Sequence, residues 1–318
     1  MDYLNDAFEK LLRDDGGTLQ SYFHEIQLNS LIEDTKTTCH IHCLNLDGNG
    51  RPRVDALVAF LAYKVIDYAI PRKKIREAYK DYENTGSSRK MVKLTTEARK
   101  LFTTLAKSGE GGEFILFLFA EQFLKLPQII CKMSLKTSTQ MHYHGADGIH
   151  IGVDSLTEKL CLYWGESKLF VSLSSAISEC MESISPMLQG VMAMDGAESR
   201  DMQLLESHLN VEDRLLEEAL KKYLDPDNPE FNQLEYRGIC LVGFDIKDYP
   251  KEAGELKIEG LSELVNKKIK KWRASVKDGV SKKKLNQFSM HVFLLPFPSV
   301  SAFRSSLRKA LKGDDFDA

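Results

Sequence analysis

Asp147, Glu166 and Lys168 are residue types that, brought together, can hold a divalent cation and activate a water. Glu166 and Lys168 lie two apart in the run KLCLYWGESK, and successive side chains on a strand point to opposite faces. On a strand both therefore share one face with Leu160, Leu162 and Trp164, so that face runs apolar and ends in a carboxylate and an ammonium. Asp147 stands in a second apolar run, GADGIHIGV, and the turn signal at 154–157 would pair the two runs as a hairpin. Two carboxylates can bind Mg²⁺ or Mn²⁺ through a few oxygens, with water and a phosphate completing the octahedron. The cation lowers the pKa of its water and stabilises charge on phosphoryl oxygens, while a lysine beside it orients the water or neutralises developing charge. An isolated E-x-K is also what a weak surface ion pair looks like. Here the matching Asp147 and the two apolar strands favour chemistry.

Other polar residues compete for attention. Asp154 is a rival first carboxylate, but it sits in the turn GVDS, where Asp is favoured for local hydrogen bonding. Cys39-His40-Ile41-His42-Cys43 resembles a metal cluster, yet on a strand its cysteines and histidines occupy opposite faces, whereas a tetrahedral site needs converging ligands. His142 and His144 fall on an expected loop, His150 lies a strand step off the Asp147 face, and Ser172, Ser174 and Ser175 stand where they would cap a helix. The chain has no G-x-S-x-G elbow, no Walker loop and no G-x-G-x-x-G, so it carries no signal for nucleotide hydrolysis of its own.

The elements that must position the trio can be read from periodicity and breakers. TTCHIHCLNL predicts a strand ending at the turn Asp47-Gly48-Asn49-Gly50. A helix is expected over 54–69, stopped before Pro71, and basic helical segments over the residues to about 105, broken at 84–88. KSGEGG at 107–112 reads as a loop and the main internal boundary. It is followed by a buried helix over 113–126 and strands over 129–136, 145–153 and 159–168. A helix over 173–188, acidic helices over 197–224, the strand RGICLVGFDI, a basic helix over 259–277, the strand MHVFLLPF and a last helix complete the chain. The order helix, three strands, helix, strand implies an α/β fold with a mixed sheet flanked by helices.

Length and composition allow this. With 318 residues, 43% of them hydrophobic, the chain can bury a sizeable core, as two packed units or as one domain with elaborations. Its most apolar windows are short and interrupted by charge, and its start is acidic where a secretory leader would be basic. A cytoplasmic protein is therefore expected. Six cysteines without a C-x-x-C pair sit mostly in apolar runs and are expected as reduced thiols. The net charge of −3 hides an asymmetry: residues 195–235 carry 12 acidic against 4 basic residues, and 256–312 carry 14 basic against 3 acidic. Lys267, Lys268, Lys270, Lys271 and Arg273, with Trp272 among them, could grip a DNA backbone. They could equally form a solvated helix face with Trp272 docked on the core.

At the trio the chain resembles the PD-(D/E)xK, or restriction-endonuclease-like, superfamily, with Asp147 followed by Glu166-Ser167-Lys168 and with Ala146 where the signature has proline. That resemblance implies a metal-dependent nuclease with Asp147 and Glu166 as metal ligands. It also implies a further glutamate on the preceding helix, a place that Glu113 or Glu121 could take, Glu113 being preferred at the helix start. GEFILFLFAEQFLKLP, CKMSLKT, HGADGIHIGVD and LYWGESK are similar to the HamA nuclease subunits of Hachiman antiphage defence. This second resemblance implies Mg²⁺ or Mn²⁺ as cofactor, DNA as substrate and a superfamily 2 helicase, HamB, as partner. With the boundary at 107–112, residues 1–106 are expected as an accessory, partner-contact region and 107–318 as the nuclease domain, with an acidic insertion at 195–235. A non-enzymatic regulatory subunit of the same fold, or an RNA nuclease, is the alternative.

Overall fold

A computed structural model describes residues 2–13, 19–102, 109–135, 145–190 and 197–312. The chain opens with α1 (Asp2–Leu11), β1 (Phe23–Leu31), β2 (Thr37–Leu44) and three helices, α2 (Val54–Ala69), α3 (Arg72–Thr85) and α4 (Arg89–Lys100). It continues through α5 (Glu110–Gln122), β3 (Gly148–Val153), β4 (Leu160–Phe170) and α6 (Leu173–Gln189). The acidic helices α7 (Ala197–Ser207) and α8 (Arg214–Leu224) lead to β5 (Glu235–Asp245), α9 (Ile258–Lys282), β6 (Met290–Phe297) and α10 (Val300–Lys312).

The strands form one six-stranded sheet in the order β1-β2-β6-β5-β4-β3. The four inner strands run parallel and the pairs at both edges, β1–β2 and β3–β4, are antiparallel. Parallel neighbours need long crossovers, which the helices supply, and strands covered on both faces read as continuous apolar runs. RGICLVGFD and MHVFLLPF do so, and Ile239 to Val242 and Val292 to Leu295 are wholly buried. The expected class, a mixed α/β sheet flanked by helices, is the one observed. β1 and β2 belong to the same sheet as the later strands, so the described residues of 2–102 share its core.

Two expectations fail, each for a local reason. The strand expected over 129–136 is reduced to a bridge between Gln128 and His150 plus two bonds, Ile151 N–H to Pro127 O and Ile129 N–H to Ile149 O. Pro127 has no N–H to extend a ladder, and the chain then turns into a 3₁₀ helix over Lys132–Leu135. The loop expected over 107–112 ends sooner, because Glu110, Gly111 and Gly112 form the first turn of α5. Those glycines serve close packing. A Cβ at Gly111 would come within 3.0 Å of Leu307 on α10, and one at Gly112 within 3.0 Å of the Ser167 hydroxyl on β4.

Alternation along β4 thus sends Ser167 toward α5. It sends Glu166 toward α6, where Cys180 donates to the Glu166 carbonyl at 3.6 Å.

Candidate active site

β4 is apolar from Leu160 to Trp164 and turns polar at Glu166, Ser167 and Lys168, of which Glu166 and Ser167 are buried. Glu166 and Lys168 form an ion pair in which 24% of the lysine side chain and 4% of the glutamate side chain are exposed. The lysine side chain is therefore partly exposed beside a carboxylate that is not.

Asp147 is the residue just before β3. Its N–H donates to Gly165 O at 2.8 Å, and the β3–β4 ladder begins with the pair Gly148–Gly165. Beyond that pair β4 runs on without β3 beside it. The Asp147 carboxylate fills this place: its Oδ2 accepts from both the N–H and the hydroxyl of Ser167, each at 2.7 Å. Among the described residues no hydrogen bond reaches Oδ1. Asp147 thus lies at the sheet edge, bonded to Ser167 on the α5 side and within electrostatic reach of Glu166 and Lys168 on the other.

The charges act on one another. Burial, and next the Asp147 charge, push the Glu166 carboxyl up to about 8, against the pull of Lys168 and a hydrogen bond from Ser183. Burial likewise raises Asp147, opposed by Lys168, by Ser167 and by Lys132. For Lys168 burial acts downward, but the charges of Glu166 and Asp147 outweigh it and hold the ammonium above the ordinary lysine range. A buried and a half-buried carboxylate sharing one close lysine are an excess of negative charge that a divalent cation would relieve. Among the described residues no three His, Cys, Asp or Glu side chains gather as a metal cage. A cation held here would take carboxylate oxygens and complete its shell with water and phosphate, the habit of Mg²⁺ and Mn²⁺.

The two candidate glutamates on α5 separate clearly. Glu121 is buried, 3.2 Å from the guanidinium of Arg72 and bonded by the N–H of Gln128, so it fastens α5 to α3 and to the chain beyond α5. Glu113 is half-buried and accepts the Tyr68 hydroxyl at 3.2 Å. Tyr68, stacked on Phe114 at 4.6 Å, is held protonated by burial first and then by the charges of Glu113, Asp147 and Glu110. The site therefore includes a hydroxyl from α2, within the first 106 residues.

The rivals take other roles. Asp154 caps its turn through the N–H groups of Leu156 and Thr157 and pairs with Arg237 at 2.6 Å, which holds its carboxyl well below the usual range. His150 is buried, bonded to Leu126 O at 2.9 Å and pushed down to about 4 by burial. His142 and His144 lie outside the described residues. Cys39, Ile41 and Cys43 are wholly buried; His40 lies 2.9 Å from His291 and stacks on Phe293, and His42 stacks on Phe123. Ser172 caps α6 by accepting from Ser175 N–H.

On α9, Trp272 packs edge-on against Phe244 at 4.9 Å. Lys268 pairs with Asp248, and Arg273 donates to Leu31 O at 2.7 Å, while Lys267, Lys270 and Lys271 are exposed.

Sequence reading missed Ser167, Tyr68 and a buried pair, Lys132 with Asp201 at 2.6 Å. Only Lys132 left a local signal, as a cation inside the apolar run IICKMSL that must find a partner. No helix among the described residues is long and apolar enough to cross a membrane. No curated relative matches the chain. The family model for HamA matches residues 19–311, nearly the whole chain and all of the site, and the chain belongs to the HamA family, whose role is in Hachiman antiphage defence.

Proposed function

We propose that this protein is a metal-dependent deoxyribonuclease, the cutting subunit of a Hachiman defence complex. The observation that carries the reading is geometric: the Glu166–Lys168 ion pair on β4 and the Asp147 carboxylate bonded to Ser167, between those two in sequence, meet where β4 runs on past the start of β3. Asp147 and Glu166 would hold Mg²⁺ or Mn²⁺. The cation, when bound, supplies an activated water and charge stabilisation on the phosphate. Lys168, partly exposed beside Glu166, can use its ammonium to orient water and meet the negative charge developing on phosphoryl oxygen. Ser167 fixes one oxygen of Asp147 and leaves the other to ligate. Glu113, with Tyr68, borders the same edge and would bind a water of the cation shell.

The exposed lysines of α9 suit backbone contact with DNA. Lys268, Arg273 and Lys277 of that helix are engaged within the protein. No motor motif is present, so unwinding and target sensing fall to the implied helicase partner, HamB, with 1–106 and the acidic helices as contact surfaces. Purified protein, alone and with that helicase, would be given DNA and RNA with Mg²⁺ or with chelator. Cutting of DNA that stops with chelator supports the reading. Cutting of RNA alone favours an RNA nuclease, and no cutting under any condition favours a regulatory subunit.

A further inference from the structure

We propose that the buried pair Lys132–Asp201 is a clamp that sets the position of Asp147, so that the acidic insertion, through α7, holds one half of the metal site. The inference rests on the metal-dependent reading above.

Asp201 is wholly buried. Its Oδ1 accepts from Lys132 Nζ at 2.6 Å, and its Oδ2 accepts from the N–H of Ala146 at 2.8 Å. Lys132 Nζ donates in turn to the carbonyl of Ala146 at 2.7 Å. Both backbone polar groups of the residue before Asp147 are therefore gripped by one ion pair. From the other side β4 grips Asp147 itself, through Gly165 O and Ser167. Between these two holds the Asp147 main chain has little freedom.

A buried ion pair is a costly way to fill space, since apolar residues of similar size do it at least as well. What it supplies here is satisfaction of a backbone segment that lies outside any ladder or helix. The neighbouring glycine agrees. A Cβ on Gly145 would lie 2.6 and 2.7 Å from the two carboxylate oxygens of Asp201, so only glycine lets the carboxylate close on Ala146. Lys132 and Asp201 are 69 residues apart in sequence, and they converge on this one peptide.

Catalysis with a cation needs ligand oxygens held within a fraction of an ångström, and groups that orient ligands affect metal affinity strongly. Lys132 and Asp201 are thus positioning residues, acting through Asp147.

The test is Mn²⁺ binding to the full chain without nucleic acid, by calorimetry. Parent, Glu166→Ala, Asp201→Asn, Gly145→Ala and Asp154→Asn would be compared. Asp154 lies at the far end of the same hairpin, so its variant reports general loosening. The clamp predicts that Asp201→Asn and Gly145→Ala weaken Mn²⁺ about tenfold or more, while Asp154→Asn binds as the parent does. It also predicts that saturating Mn²⁺ restores much of kcat in the clamp variants, a split that mere destabilisation does not produce. Should Asp201→Asn fail to fold, Gly145→Ala, which removes no charge, decides the matter alone. Parental Mn²⁺ affinity in the clamp variants, with Glu166→Ala impaired, overturns the clamp and leaves the metal site standing. Absence of binding in the parent, or equal binding in Glu166→Ala, overturns both.

Discussion

Ser167 gives both its N–H and its hydroxyl to the same oxygen of Asp147, each at 2.7 Å. It stands between Glu166 and Lys168, where alternation turns it away from them. Glu166-Ser167-Lys168 thus spans both faces of β4: the flanking residues lie on the α6 side, and the middle residue holds the Asp147 carboxylate.

Ser167→Ala keeps the backbone bond and loses the hydroxyl one. A hydrogen bond to a charged acceptor is worth about 1.5–3 kcal/mol, so the Mg²⁺ dependence of cleavage should shift roughly tenfold or more toward higher metal. Titration of the cleavage rate with Mg²⁺ checks this. An unshifted midpoint would leave the hydroxyl without a role in holding Asp147.

Glu113 and Glu121 should part company under substitution. Glu121→Gln strips the partner from a buried guanidinium, a loss of about 3–5 kcal/mol, and should lower the melting temperature with kcat preserved in the folded fraction. Glu113→Gln should leave melting nearly unchanged and cut the rate about tenfold or more, in the range of a mispositioned water. Paired melting curves and initial rates read both. The opposite pattern would move the site to the other end of α5.

Acid should unfold the protein through its buried histidines. Burial first pushes His40 to about 3 and His42, His150 and His291 to about 4. Each is depressed below its unfolded value near 6.5, so the unfolded chain binds more protons and stability rises with pH in this window. The contribution is complete above about pH 6.5 and drains as pH falls toward 4, at about 1.4 kcal/mol per unit of depression. Among the described residues neither ring nitrogen of His42 has a hydrogen-bond partner, and the ring stacks on Phe123 at 4.7 Å. His42→Phe should therefore cost little at pH 7.5 and flatten the loss between pH 6.5 and 4. Denaturant melts across that range would show it, and an unchanged slope would assign the acid limb to other groups.

The exposed lysines of α9 make a separate expectation for binding. Replacing Lys267, Lys270 and Lys271 with Gln should weaken DNA binding at low salt. The slope of log affinity against log salt should fall by roughly 1 for each phosphate no longer neutralised. Fluorescence anisotropy at several salt concentrations measures this. A slope equal to the parent's would place the DNA on another surface.

Much of the site was legible because it is local. Glu166 and Lys168 stand two apart on a strand whose apolar alternation declares it, and one short turn brings Asp147 alongside. The inner strands announced themselves as apolar runs for the same reason. β1 did not: its polar face and register shifts break the alternation that a reader relies on. Gly111 and Gly112 read as a loop because their reason, close approach of α10 and β4, lies far away in sequence. Tyr68 with Glu113 and Lys132 with Asp201 likewise join through tertiary packing, across 45 and 69 residues. No period or motif in a single chain encodes such pairs.

Asp147, Glu166 and Lys168 are proposed to cut DNA with a bound cation. Single-turnover cleavage of DNA by the complex with its helicase, at saturating Mg²⁺, tests this proposal most directly when parent, Glu166→Ala and Lys168→Ala are compared. Both variants should lose at least about a thousandfold in rate, with folding and assembly intact. Cleavage by either variant at the parental rate would contradict it.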